Sequence, residues 1–403
     1  MSNRVAVGRG PGAVLVVALA ILSLHHLTNG TYYLGFRPAT EVADFTQRVT
    51  ESHYLAGGTW PQSQNFLDQA PTRPSVAPLA IAADQSHRYG TLNFSGQAPW
   101  SYAMHLVFYP PVSLPAARIW LLAVDLVALA GLVAVAAFEL RDFGTMTVLL
   151  GALSITAVGA MNSDMTQGQN AIFVTAAIGA VLVALRFEAT PGRNCLAGLA
   201  MAVAFIKPTI SALFVLAVLM ARRPMIVVIG AVIALSAWFG SSVWTGVPMG
   251  VQWHQFDVVS LQVLGESANP VMLAVMRATA NPLVARNVLI GAGALLAVAG
   301  VVHFRTDLVA SFAWLAIVSR LWTYHRAYDD VMLVFVLIAL LQRYCRRTSP
   351  PSGLMWLLCG ASLWLPYSLY VGPAMQRVQV TVWAAAAGVL WMDRGSRADD
   401  AVV

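Results

Sequence analysis

Apolar stretches of about 15–25 residues follow one another along almost the whole chain, with most charged residues gathered in the gaps between them. None of these stretches alternates with period two, so they read as helices and not as strands of a barrel. Only 10% of the residues are charged, against about 25% in a soluble globular domain. With 58% hydrophobic residues, the chain cannot clothe a large core in a polar surface. Its solvent is therefore lipid, where a helix satisfies its own backbone. The expected fold is an all-α membrane protein, a polytopic helical bundle. The net charge of +6 is scattered singly or in twos and threes, with no basic stripe or nucleic-acid motif. The three cysteines, Cys195, Cys345 and Cys359, have neither metal-ligand nor disulfide spacing.

The first apolar run, Pro11 to Leu27, follows Arg4 and Arg9. No small-residue cleavage site follows it, so it is read as a retained first helix and not a signal peptide. A long polar segment, about 28–100, comes next. Further apolar runs lie near 103–138, 144–161, 170–186, 195–206, 208–221, 225–243, 286–303, 307–321, 331–342, 353–370 and 378–392, giving about ten to twelve spanning helices in a single domain, 1–403. Alternate connections carry Arg141; Arg186 and Arg193; Arg222 and Arg223; Arg305; Arg343, Arg346 and Arg347; and Arg394 and Arg397. The positive-inside rule puts these, with both termini, in the cytoplasm and the 28–100 loop outside. The expected location is the plasma membrane, with the active site on the extracytoplasmic face. In a background without the native cysteines, a cysteine replacing Ser75 should react with an impermeant thiol reagent from outside, and one replacing Thr348 should not. The reverse labelling pattern would overturn this orientation.

Ionisable groups at membrane depth are candidates for function. Lys207 is the only lysine in the chain, and it directly precedes Pro208 between two apolar runs too short to span alone. Two short helices meeting at Lys207 are the simplest geometry, with an anion opposite the ammonium; snorkelling to the interface is the plainer alternative. Asp44 follows the first helix and could act as a general base, although loop acids are more often simply solvated. The stretch from Tyr324 to Asp330 concentrates His325, Arg326, Tyr328 and Asp329 beside an apolar helix, as either a site or an ordinary interfacial belt. The stretch 162–170, with Asn162, Gln167, Gln169 and Asn170, reads as a turn whose carboxamides also suit a hydroxyl-rich ligand. Residues 244–270 are long enough for an amphipathic helix lying on the membrane.

Four stretches resemble glycosyltransferase family 87, whose members are integral-membrane enzymes of the GT-C fold. They are Asp44-Phe45 with Tyr54-Leu55-Ala56-Gly57-Gly58; Pro110-Pro111 through Trp120; Gln167-Gly168-Gln169-Asn170 with Ala197-Gly198-Leu199-Ala200 and Ile206-Lys207-Pro208; and Tyr324 through Asp329. The resemblance implies inverting transfer of a sugar, mannose above all or arabinofuranose, from a polyprenyl-phosphate donor to an envelope glycolipid or polysaccharide, with no cofactor and no essential metal. It makes Asp44 the catalytic base. Lys207, with Arg326, neutralises the donor phosphate, and His325 orients or stabilises that leaving group. Gln167, Gln169, Asn170, Tyr328 and Asp329 are then expected around the substrate. Two other classes fit the same composition: a transporter or flippase of lipid-linked substrates, and a non-catalytic envelope-assembly protein.

Overall fold

The computed structural model describes residues 9–38, 42–62, 97–264, 270–279, 281–322, 326–347, 349–365 and 373–393. Ser75, Tyr324, His325, Thr348, Arg394 and Arg397 lie outside these residues, as does the whole of the polar segment from 63 to 96. Among the described residues there is no strand. The helices are α1 (Arg9–Phe36), α2 (Ala43–Ala56), α3 (Pro99–Phe108), α4 (Leu114–Leu140), α5 (Thr145–Thr156) and α6 (Gly159–Gln167). Next come α7 (Ala171–Ala184), α8 (Pro191–Ala204), α9 (Pro208–Ser211), α10 (Phe214–Met220), α11 (Pro224–Thr245) and α12 (Met249–Leu264). The remainder are α13 (Pro270–Thr279), α14 (Pro282–His303), α15 (Leu308–Trp322), α16 (Val334–Arg347), α17 (Pro350–Trp364) and α18 (Pro373–Met392). A 3₁₀ segment, Ala327–Leu333, leads into α16.

Proline punctuates this order. Pro99, Pro191, Pro208, Pro224, Pro282 and Pro350 each open a helix, where a missing N–H costs nothing and the fixed φ already suits the first turn. Five helical stretches among the described residues are long and apolar enough to cross a membrane: Gly12–Phe36, Leu114–Phe143, Thr145–Gln167, Pro224–Thr245 and Leu283–His303. The chain is thus an all-α membrane protein, with several expected runs divided into shorter helices. The 103–138 run is two helices, α3 and α4, parted around Pro110-Pro111. α1 runs on to Phe36, well past Leu27, so the expected 28–100 loop begins later and contains α2. Residues 244–270 do carry a helix, α12, as their length suggested.

Burial sorts the helices. α11 and α14 expose apolar side chains on one stripe, Val228, Val232, Leu235 and Phe239 on the first and Val288, Leu295, Val298 and Val302 on the second, as lipid-facing helices do. α16 does the opposite, with Val334 through Leu341 buried on all sides. Close crossings use small residues. A Cβ on Gly198 of α8 would lie 2.6 Å from Ile229 of α11, so glycine lets the two backbones approach.

The bundle has two chemically distinct ends. At one, Arg186 grips Glu139 through two bonds of 3.0 and 2.7 Å, Gln342 donates to the Glu139 carbonyl at 2.6 Å, and Arg223 reaches Asn194 at 3.1 Å. Arg343 lies 4.0 Å from Asp307, and His303 stacks on Trp391 at 3.8 Å. Among the described residues, three of the arginine-bearing connections that the sequence grouped together, those of Arg186, Arg223 and Arg343, therefore lie at one end. The polar motifs meet at the other.

Candidate functional site

The second end is assembled around a break in one helical path. α8 stops at Ala204 and α9 starts at Pro208, so Lys207 lies where two short helices meet, as its sequence context implied. The break frees carbonyls that a continuous helix would have satisfied. α3 supplies the donors: Trp100 Nε1 bonds to the carbonyl of Phe205 at 2.7 Å, and Ser101 Oγ to that of Ile206 at 2.6 Å. Lys207 itself is only 8% exposed. Its ammonium pairs with Oδ1 of Asp329, which is fully buried, and lies 4.4 Å from the centre of the Tyr328 ring. The other Asp329 oxygen accepts the backbone N–H of Arg326 at 2.9 Å, closing the turn that starts the 3₁₀ segment. The anion expected opposite Lys207 is therefore, in this structure, a carboxylate of the protein itself.

Asp44 occupies the first turn of α2, half-buried. Its Oδ2 accepts a 2.6 Å bond from Gln169 Nε2, which ties α2 to the turn between α6 and α7. Asn170, next in that turn, meets His105 of α3 at 3.4 Å through its Nδ2. Gln167 ends α6 and makes no hydrogen bond to these groups among the described residues. The structure thus joins Asp44 to Gln169, and Lys207 to Asp329 and Tyr328. It brings Arg326 in through its backbone.

The turn that presents Gln169 is held from three directions. Gly168 has φ +63° in the left-handed region, ending α6. Its carbonyl accepts the Tyr109 hydroxyl at 3.2 Å. Asp164, fully buried, receives the backbone N–H groups of Ala171 at 2.9 Å and Ile172 at 3.1 Å, capping α7. A Cβ on Gly168 would lie 2.4 Å from Cβ of Phe45, the residue after Asp44. Gly168→Ala should therefore cost about 1–3 kcal/mol from strain. It should also push Asp44 away from Gln169. A melting temperature equal to that of the unmodified protein would refute this packing account.

Beneath Asp44, Arg48 and Glu51 lie one turn apart on α2, both buried, and pair at 2.9 Å. Burial pushes the Glu51 carboxyl above the usual carboxylate range, and the Arg48 guanidinium pulls it back. Several of these groups escaped the sequence reading. Asp164, His105 and Asp125 are buried ionisable groups within helices, and that position was itself the available signal. Both Asp125 oxygens are without a hydrogen-bond partner. Among the described residues no group of three or more His, Cys, Asp or Glu could hold a metal ion. No family model matches the sequence, and no curated protein or solved structure matches it either.

Proposed function

We propose that this chain is an integral-membrane glycosyltransferase. In this reading it moves a sugar, most naturally mannose, from a polyprenyl-phosphate donor to an envelope glycolipid or polysaccharide on the extracytoplasmic face. The observation that carries the reading is the carboxylate of Asp44, half-buried and held by Gln169 at 2.6 Å at the same bundle end as the Lys207–Asp329 pair. A base must be aimed as well as charged, and the carboxamide bond fixes one oxygen while leaving the other for a hydroxyl proton. In the transfer step that proton passes to Asp44. The acceptor oxygen forms a bond to the anomeric carbon, and the carbon–oxygen bond to phosphate breaks with its electron pair leaving on the phosphate. Lys207 is the cation suited to that charge, and the phosphate competes for it with Asp329. GT-C membership and mannose specificity rest on the resemblance of short motifs. The test is to incubate purified protein in lipid with radiolabelled polyprenyl-phosphate-mannose and, separately, with the arabinose donor, supplying envelope glycolipids as acceptors. Label should appear in the glycolipid; its absence with both donors would remove the proposal.

A further inference from the structure

α1 turns its polar side chains in two directions. On its packed side, Ser23 Oγ lies 2.7 Å from Thr156 Oγ1, His26 Nε2 lies 3.1 Å from the carbonyl oxygen of Trp364, and Asn29 donates to Asn162 at 2.9 Å. His25 and Thr28 face the other way. Both are exposed, and the side chain of neither makes a hydrogen bond among the described residues. Depth makes this arrangement costly. Gly12–Phe36 is one of the stretches long and apolar enough to cross the membrane. His25 is near its middle: at 1.5 Å per residue the two ends are about 20 and about 17 Å away, which puts the ring inside a hydrocarbon core of about 30 Å. Lipid tails offer no hydrogen bond, and polar side chains at that depth generally face other protein groups.

The pattern around His25 indicates what faces it. Ala18, Ile21, His25, Thr28 and Tyr32 are all exposed, and they follow one another at alternating spacings of three and four residues. That is the spacing of a seam between two parallel helices. A neutral imidazole carries one N–H donor and one bare nitrogen acceptor, and a threonine hydroxyl both donates and accepts. Each side chain is therefore complementary to its own copy. A two-fold axis beside α1 brings His25 to His25 and Thr28 to Thr28 at equal depth, whereas an unrelated helix would need matching groups at both heights. We propose that two copies of this chain associate in the membrane along this stripe of α1, with His25 hydrogen-bonded to the same residue of the second copy. The stripe is separate from Asp44 and Lys207, and the association does not depend on sugar transfer.

The experiment uses the full-length protein in phosphatidylcholine vesicles. In a background without the native cysteines, Ile21→Cys should form a disulfide-linked dimer under mild oxidation. Leu295→Cys, on the lipid-facing stripe of α14, should not. Energy transfer between donor- and acceptor-labelled copies, followed as lipid is added, gives the strength of association. His25→Leu should weaken it by about tenfold, the worth of an interhelical hydrogen bond in lipid, with the melting temperature of the monomer unchanged. His25→Asn still carries a donor and an acceptor on one side chain and should keep most of the association. Monomers at every protein density would overturn the proposal, as would unchanged association in His25→Leu. Equal cross-linking at Ile21 and Leu295 would mark random collision and overturn it too. If His25→Leu does not fold, the contrast between the two cysteine positions decides.

Discussion

Asp44→Asn should lower sugar transfer by about 10²–10⁴-fold while leaving the protein folded and its donor affinity nearly unchanged. The expectation follows from what the substitution keeps. An asparagine oxygen still accepts the bond that Gln169 donates at 2.6 Å, so α2 stays tied to the turn between α6 and α7. Only the capacity to take a proton is lost. Asp44→Ala is a useful contrast, because it removes the base and the tie together and should lower the melting temperature as well. Transfer rates, donor affinity and thermal unfolding of the three proteins separate the two effects. Full activity in the Asn protein would end the assignment of Asp44 as base and turn attention to Asp329.

Lys207→Met should destabilise the protein by about 3–5 kcal/mol, because it leaves the Asp329 carboxylate buried without its cation. A snorkelling lysine would behave differently: methionine would then be neutral or stabilising in lipid. The double variant Lys207→Met with Asp329→Asn removes both charges and should recover much of the lost stability. Lys207→Arg keeps the charge but brings a wide planar fork to a seat shaped by Asp329 and the Tyr328 ring, so recovery should be partial. Thermal unfolding in detergent reads all four proteins. If the Met protein melts like the unmodified one, the ion pair carries no stability. Donor affinity is a separate readout: a fall of more than about tenfold in the Met protein supports Lys207 as the phosphate's cation.

The legible part of the fold was the part written locally. Proline at helix starts and apolar runs between arginines mark most helices without tertiary information. The break at Lys207-Pro208 was legible for the same reason, since a proline and a lysine in apolar sequence are conspicuous wherever the chain goes. The end of α1 was not. Asn29, Gly30 and Thr31 read as a polar stop, yet the helix continues because Asn29 donates to Asn162 at 2.9 Å and Gly30 lies against Met165. Both partners are remote in sequence. The site divides in the same way. Asp44, Gln169, Asn170, Lys207 and Asp329 were identifiable as polar residues in unusual company, but which would touch which was not. The anion opposite Lys207 was expected from a ligand and comes instead from Asp329, because only the folded chain brings the 3₁₀ segment against the break. Asp164 reads as one more residue of a polar turn until Ala171 and Ile172 are seen to point their amides at it.

The distance along the chain between Lys207 and its partner has a consequence for biogenesis. Asp329 is made 122 residues after Lys207, and α9 through α15 are made in between. During that interval the ammonium has no Asp329 to neutralise it. The half-length pieces on either side are poor candidates for stable insertion alone, since neither reaches across the hydrocarbon by itself. The segment around Lys207 therefore settles to full depth only when α16 and the turn before it have been synthesised. Completion of the polar end is a late event in synthesis: a nascent chain halted before residue 329 can hold most of the lipid-facing helices, yet it lacks the carboxylate that neutralises its lysine.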